Sequence, residues 1–197
     1  MSSAAPSHAP ASGAGAPSSW IVRWAHLIPA GGSVLDVACG AGRHTRFLHG
    51  QGHRLTALDR DPAAIAAVAG VAEAIEADIE GGPWPLADRA FAGVVVTNYL
   101  WRPRLPDIVA AVAPGGVLLY ETFAQGNESV GRPARPDFLL APGELLAAAA
   151  GLRVVAYEDG FLAAPDRFVQ RIAAVRPAAA PAGTPPRYPL GPPAAPQ

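Results

Sequence analysis

A single cysteine, Cys39, among 197 residues leaves no partner for an internal disulfide and no thiolate set for a metal. A reducing compartment suits such a chain. Neither sign of charge is in excess: 15 Lys plus Arg against 16 Asp plus Glu give a formal net charge of -1. That balance supplies no electrostatic reason for tight binding to nucleic acid or to a membrane surface. The opening stretch MSSAAPSHAPASGAGAPSSW lacks the basic and leucine-rich regions of a secretory leader. No apolar run approaches the roughly 20 residues that a membrane-spanning helix needs. These absences give the expectation of a cytoplasmic chain without a bound metal, and the length favours one domain around one core.

Large apolar residues are also scarce at both ends. Residues 1–18 and 177–197 are rich in Pro, Ala and Gly, and such segments bury too little surface to offset chain entropy. Both are expected to be disordered tails around a domain at 19–176. Within it, short apolar runs alternate with helical patterns. SVLDVA, RLTALD, AEAIEAD, FAGVVVTNYL and GVLLYETF read as strands, separated by GRHTRFLHGQG, PAAIAAVAG and PRLPDIVAAVAPGG. Ser18 or Ser19 is placed to cap a first helix, and Asp61 before Pro62 to start another. After the helical APGELLAAAAG come LRVVAYEDGFL and RFVQRIAAVR with no helix between them. The expected fold is α/β: a Rossmann-like three-layer sandwich whose seven-stranded, mostly parallel sheet ends in an antiparallel strand.

In such sheets the ligand crevice lies at the carboxyl ends of the strands. That places ACGAG, after the first strand, against a ligand, with Gly40 and Gly42 allowing close backbone approach. The helix from Arg43 offers unpaired N–H groups to an anion. A dinucleotide-type glycine pattern requires glycine where Thr45 stands, which weakens a pyrophosphate reading. Asp59 closes the second strand, where a carboxylate accepts hydrogen bonds from both ribose hydroxyls. A nucleoside is the ligand these residues suit.

VLDVACGAGRHTRFL, LTALDRD, EAD, VVVTNYL and APGGVLLYETF together resemble the successive motifs of class I S-adenosylmethionine-dependent methyltransferases, over roughly residues 33–123. The Gly-x-Gly-Arg loop is similar to that of small bacterial members of the tellurite-resistance type, with Ala38 where many members carry the loop's first glycine. The resemblance implies S-adenosylmethionine as cofactor. It implies Asp36, Ala38, Gly40, Gly42 and Arg43 around the methionine part, Asp59 on the ribose and Arg60 beside the adenine. Asp78 would accept from the adenine amino group, Ile79 would pack on the ring, and Asn98 would floor the space between cofactor and acceptor.

Methyl transfer needs alignment more than a dedicated base. The fourth strand ends in TNYLWRP rather than an NPPY-type motif, which argues against nucleic-acid amines. Tyr99 and Trp101 suggest an aromatic wall for a small or cationic acceptor, Arg102 and Arg104 a carboxylate or phosphate site. The stretch ETFAQGNESVGRPARPDFLLAPGELL suggests a binding loop, and Glu121, Tyr120 and Tyr99 are the acid/base candidates. The expectation is a methyltransferase acting on a small molecule. A protein or RNA methyltransferase, or a non-catalytic protein that binds S-adenosylmethionine, are the alternatives. An NAD-dependent enzyme is disfavoured by Thr45 and by the lack of a Tyr/Lys pair.

Overall fold

The computed structural model describes residues 15–179, 183 and 185–192. The expected N-terminal tail therefore falls outside the described residues up to residue 14. The chain opens with helix α1 (Ser19–Trp24), which starts because the Ser18 hydroxyl accepts the Trp20 N–H and which buries Trp20, Ile21 and Trp24. Strands β1 (Ser33–Val37), β2 (Arg54–Asp59), β3 (Glu73–Glu76) and β4 (Phe91–Thr97) follow, with helices α2 (Arg43–Gly50) and α3 (Pro62–Val68) between the first three. Helix α4 (Leu105–Ala110), β5 (Val112–Phe123), α5 (Glu144–Ala148), β6 (Arg153–Leu162) and β7 (Arg167–Val175) complete the order.

The seven strands form one sheet in the order β3-β2-β1-β4-β5-β7-β6. β1 to β5 pair in parallel, whereas β7 runs antiparallel to both β5 and β6. The sequence expectation of an antiparallel final strand holds. Alternation along each strand builds two cores, one on each face of the sheet. Val34, Leu55, Val95, Val117, Leu119 and Ala173 pack with Trp20, Trp24 and Leu48. Leu35, Val94, Val96, Leu118, Tyr120 and Ile172 pack with Ile108 and Leu145 on the other.

Two helices are shorter than their patterns suggest. α4 stops at Ala110 because Val112 is already paired with Phe91 and the Ala111 carbonyl accepts the Phe91 N–H at 2.8 Å. The APGG segment behind it is drawn into the sheet by Arg176, whose carbonyl accepts from Gly115 and whose N–H donates to Gly116. α5 spans only Glu144–Ala148.

Residues 185–192, within the expected C-terminal tail, lie against the fold. Tyr188 packs on the α1-side core, and His26 Nε2 lies 3.0 Å from the Pro189 carbonyl. Among the described residues no helix is long and apolar enough to cross a membrane.

Candidate active site

The carboxyl ends of β1 to β5 converge on one crevice, and its shape begins with the turn after β1. Ala38, Gly40 and Gly42 all hold positive φ, at 53°, 51° and 75°. Such angles are open to glycine and strained for alanine. At Gly42 a Cβ would also run into the Val68 side chain of α3, so only glycine lets α2 start this close to its neighbour. The turn is held from below: the Cys39 N–H donates to the Leu58 carbonyl at 3.1 Å, and Arg46 clamps the carbonyls of Ala41 and Ala67. Ala38→Gly should therefore relieve local strain. Because glycine also gains freedom in the unfolded chain, the net expectation is a stabilisation of about 0.5–1 kcal/mol, read as a higher urea midpoint.

Asp36 lies under this turn. Its carboxylate, 1 % exposed, accepts the Thr45 hydroxyl at 2.6 Å and so ties β1 to the first turn of α2. Burial pushes its pKa up to about 6. It is not part of the cavity walls; it fixes the loop that is.

Asp59, at the end of β2, faces the turn. One carboxylate oxygen accepts the Gly40 N–H at 2.8 Å and the other the Asp61 N–H at 3.0 Å. Each oxygen keeps a second lone pair for a ligand. Asp78 is fixed in the same manner, accepting from the N–H groups of Glu80 and Gly81. Ala38, Asp59, Arg60, Asp78, Ile79 and Tyr99 line one cavity of about 130 Å³. Glu80 also lines it and lies 3.5 Å from Arg60. Gly40, Arg43, His44, Thr97 and Asn98 line a second, joined to the first through Ala38. Asn98, with a positive φ of 54°, also borders a third cavity walled by Tyr99, Leu100, Thr122, Phe123, Pro133 and Phe138.

Of the residues singled out from sequence, the structure thus brings Ala38, Gly40, Arg43, Asp59, Arg60, Asp78, Ile79 and Asn98 to one continuous crevice. Asp36 and Gly42 support it from behind. Tyr99 stands on the wall shared by the first and third cavities. Tyr120 and Glu121 are not part of these walls: both are 1 % exposed, and they point to opposite faces of the sheet. The Tyr120 hydroxyl donates to the Tyr99 carbonyl, while Glu121 meets Ser18, Arg171 and Arg167. Arg102 and Arg104 are occupied inside the fold, the first by Glu144 and the Asp137 and Leu139 carbonyls, the second by Asp107 and the Ile79 and Gly82 carbonyls. Neither is available to a ligand anion.

Sequence reasoning passed over His44 and Phe138. His44 is 2 % exposed; its Nε2 accepts the Ser18 N–H at 3.0 Å, so Nδ1 carries the proton and donates to the Thr97 hydroxyl at 3.3 Å. Burial, helped by Arg43, lowers its pKa to about 4. The unfolded chain takes up this proton near pH 6.5 and the folded chain only near 4, so His44 costs stability as pH falls through that window. Asp36, raised to about 6, acts with the opposite sign over much of the same range. Removing the imidazole should expose the difference. Relative to wild type, His44→Gln should gain on the order of 2 kcal/mol between pH 6.5 and 4.5 in urea titrations.

Phe138 belongs to the long segment after β5, which is held in place by Asn127. Its amide donates to the Pro133 carbonyl at 2.9 Å and its oxygen accepts the Phe168 N–H at 3.2 Å. The segment's signal in the sequence was the stretch ETFAQGNESVGRPARPDFLLAPGELL as a whole, with prolines and polar residues following a buried strand. Among the described residues no group of three or more His, Cys, Asp or Glu could hold a metal ion.

This arrangement has counterparts. Residues 34–116 match the family described as "Methyltransferase domain". The chain is similar to the malonyl-[acyl-carrier protein] O-methyltransferase of Serratia marcescens, 36 % identical over 107 residues that cover 49 % of this chain and 40 % of that enzyme. In three dimensions it resembles TehB from Haemophilus influenzae, with 21 % identity, a TM-score of 0.63, and coverage of 77 % of this chain and 60 % of that one. A TehB-like S-adenosylmethionine-dependent methyltransferase from Corynebacterium glutamicum gives 21 % identity and a TM-score of 0.57, covering 77 % and 86 % of the two chains. The matched residues are those that build the glycine turn, Asp59, Asp78 and Asn98. Residues 34–116 therefore match a methyltransferase domain, and the whole fold is that of the TehB-type structures.

Proposed function

We propose that this methyltransferase-domain chain transfers the methyl group of S-adenosylmethionine to a small molecule. The observation that carries the reading is the continuity of the crevice. The cavity bounded by Asp59 and Asp78, the one beside Gly40 and Arg43, and the one walled by Phe123 and Phe138 meet at Asn98 and Tyr99. The donor set fits the cofactor. Asp59 would accept from the ribose hydroxyls, and Asp78 and Ile79 would receive the adenine. The first turn of α2 with Arg43 would take the methionine carboxylate. Bound there, S-adenosylmethionine supplies a methyl carbon on a cationic sulfur, open to in-line displacement.

The protein's own part is then alignment. The fixed turn over Asp36 and the strained backbone at Asn98 hold the two sides of the crevice in register. The acceptor is not inherited from the Serratia enzyme, of which the chain covers 40 %. The third cavity, about 260 Å³ and lined by the rings of Tyr99, Phe123 and Phe138, suits a small molecule better than a polypeptide or RNA. A cytoplasmic setting belongs to the same reading, since the lone Cys39 is a buried free thiol.

Calorimetric titration of the full chain with S-adenosylmethionine, S-adenosylhomocysteine and NADH tests the first half. Saturable binding of both sulfur nucleosides and none of NADH is expected, and no binding of either would overturn the proposal. Release of S-adenosylhomocysteine with pooled small molecules tests the second. Turnover only with protein or RNA fractions would move the acceptor to those classes.

A further inference from the structure

The third cavity says something about the acceptor. It has a volume of about 260 Å³, is bounded by the rings of Tyr99, Phe123 and Phe138, and has no Arg, Lys or His among its lining residues. Its charged wall residue is Glu80. The cation nearest that carboxylate, Arg60, stands 3.5 Å away with its side chain 66 % exposed, so solvent screens the pair and neutralises Glu80 weakly. Arg135 lies over the Phe138 ring at 5.4 Å and is paired with Asp137, while Arg102 and Arg104 are saturated by internal partners. Arg132, exposed, precedes Pro133 without forming part of the wall. A second feature points to a ligand: the Tyr99 hydroxyl, on the wall this cavity shares with the one lined by Asp59 and Asp78, is buried and has no hydrogen-bond partner among the described residues. Buried polar groups are nearly always satisfied, so this hydroxyl is matched to a group that arrives with the ligand.

Aromatic faces attract cations and flat apolar bodies, and an uncompensated carboxylate repels an anion. We infer that this cavity takes the methyl acceptor and that the acceptor is a flat, apolar-bodied amine or nitrogen heterocycle, neutral or cationic, rather than a carboxylate. The inference rests on the methyltransferase reading above and narrows its substrate. Phe123 and Phe138 hold the body, and Glu80 and the Tyr99 hydroxyl face the nitrogen. The nitrogen attacks as the free base: a protonated amine first passes its proton to the Glu80 carboxylate. The nitrogen lone pair then forms the new N–C bond as the methyl C–S bond breaks and leaves its electrons on sulfur, and the methylated product leaves as the cation.

The test uses three probes of one shape and different charge: naphthalenemethylamine, naphthalenemethanol and naphthalenecarboxylate, titrated by saturation-transfer NMR into the full chain with and without S-adenosylhomocysteine. The amine should bind roughly tenfold more tightly than the carboxylate, with the alcohol between them. Glu80→Gln should shrink that ratio to about twofold or less, whereas Phe138→Ala should weaken all three together. A carboxylate that binds as well as the amine, an unchanged ratio in Glu80→Gln, or no binding of any probe overturns the inference. Calorimetry with S-adenosylhomocysteine on the same samples separates the two readings. If the nucleoside fails to bind, the methyltransferase reading falls; if it binds while the carboxylate is preferred, only the acceptor class falls.

Discussion

Glu121→Ala should unfold more readily than wild type by about 3–5 kcal/mol, because it strands a buried cation. Glu121 is 1 % exposed, and its carboxylate accepts the Ser18 hydroxyl at 3.0 Å and pairs with Arg171 at 3.3 Å and Arg167 at 3.8 Å. The Arg171 side chain is only 12 % exposed and stacks over the Trp20 ring. It keeps Glu158 as a second partner, which puts the loss towards the lower end of that range. For a domain of this size the full range corresponds to a melting temperature lower by roughly 6–20 °C. Glu121→Gln keeps the shape and the Ser18 contact and should lose less. An acid/base role, which the sequence suggested, makes the reverse prediction: an unchanged melting temperature with methyl transfer abolished. Thermal unfolding of the two variants beside wild type decides between them.

That residue shows where sequence reasoning stops. The strands were legible because Val34–Val37 and Val94–Val96 are short, valine-rich runs buried on both faces. The reversal of β7 was legible because no helix separates it from β6. The carboxylate facing the glycine turn followed from position alone, since Asp59 is the last residue of β2 and accepts the Gly40 N–H. Tyr120 and Glu121, in contrast, are adjacent on a strand, and adjacent side chains point to opposite faces. Both cannot enter one cleft. Here neither does, because β5 continues to Phe123 before reaching the crevice. Distant partners are equally invisible in one dimension: nothing in the spacing of Ser18, His44 and Thr97 announces that a neutral imidazole joins them.

Helix lengths failed for a related reason. The alanine-rich stretches around α4 and α5 have high helix propensity, a weak preference that tertiary pairing overrides. Phe91 and Arg176 claim the backbone from Ala111 to Gly116 for the sheet. The Pro-rich C-terminus carries the opposite lesson. Its composition offers little to bury, yet Tyr188 supplies one aromatic ring and Arg153 lies 5.9 Å from its centre. One such contact is enough to seat a short stretch against an existing surface without any core of its own.

The crevice makes its largest binding prediction at Asp59. Asp59→Ala should weaken S-adenosylhomocysteine binding by about 1.5–3 kcal/mol, roughly 10- to 150-fold in affinity, if the carboxylate holds the ribose through charged hydrogen bonds. The upper half of the range is expected, because the same carboxylate also accepts from Gly40 and Asp61 at 2.8 and 3.0 Å. Without it the Gly40 N–H loses its acceptor, and the turn bearing the methionine side loosens together with the ribose side. Asp59→Asn separates the two effects: its amide oxygen can still take the Gly40 N–H, so the turn stays ordered while the charge on the ribose hydroxyls is gone. Calorimetry should place it between wild type and alanine. Equal affinity in all three, with unfolding curves unchanged, would remove Asp59 from the cofactor site and leave Asp78 to carry the nucleoside alone.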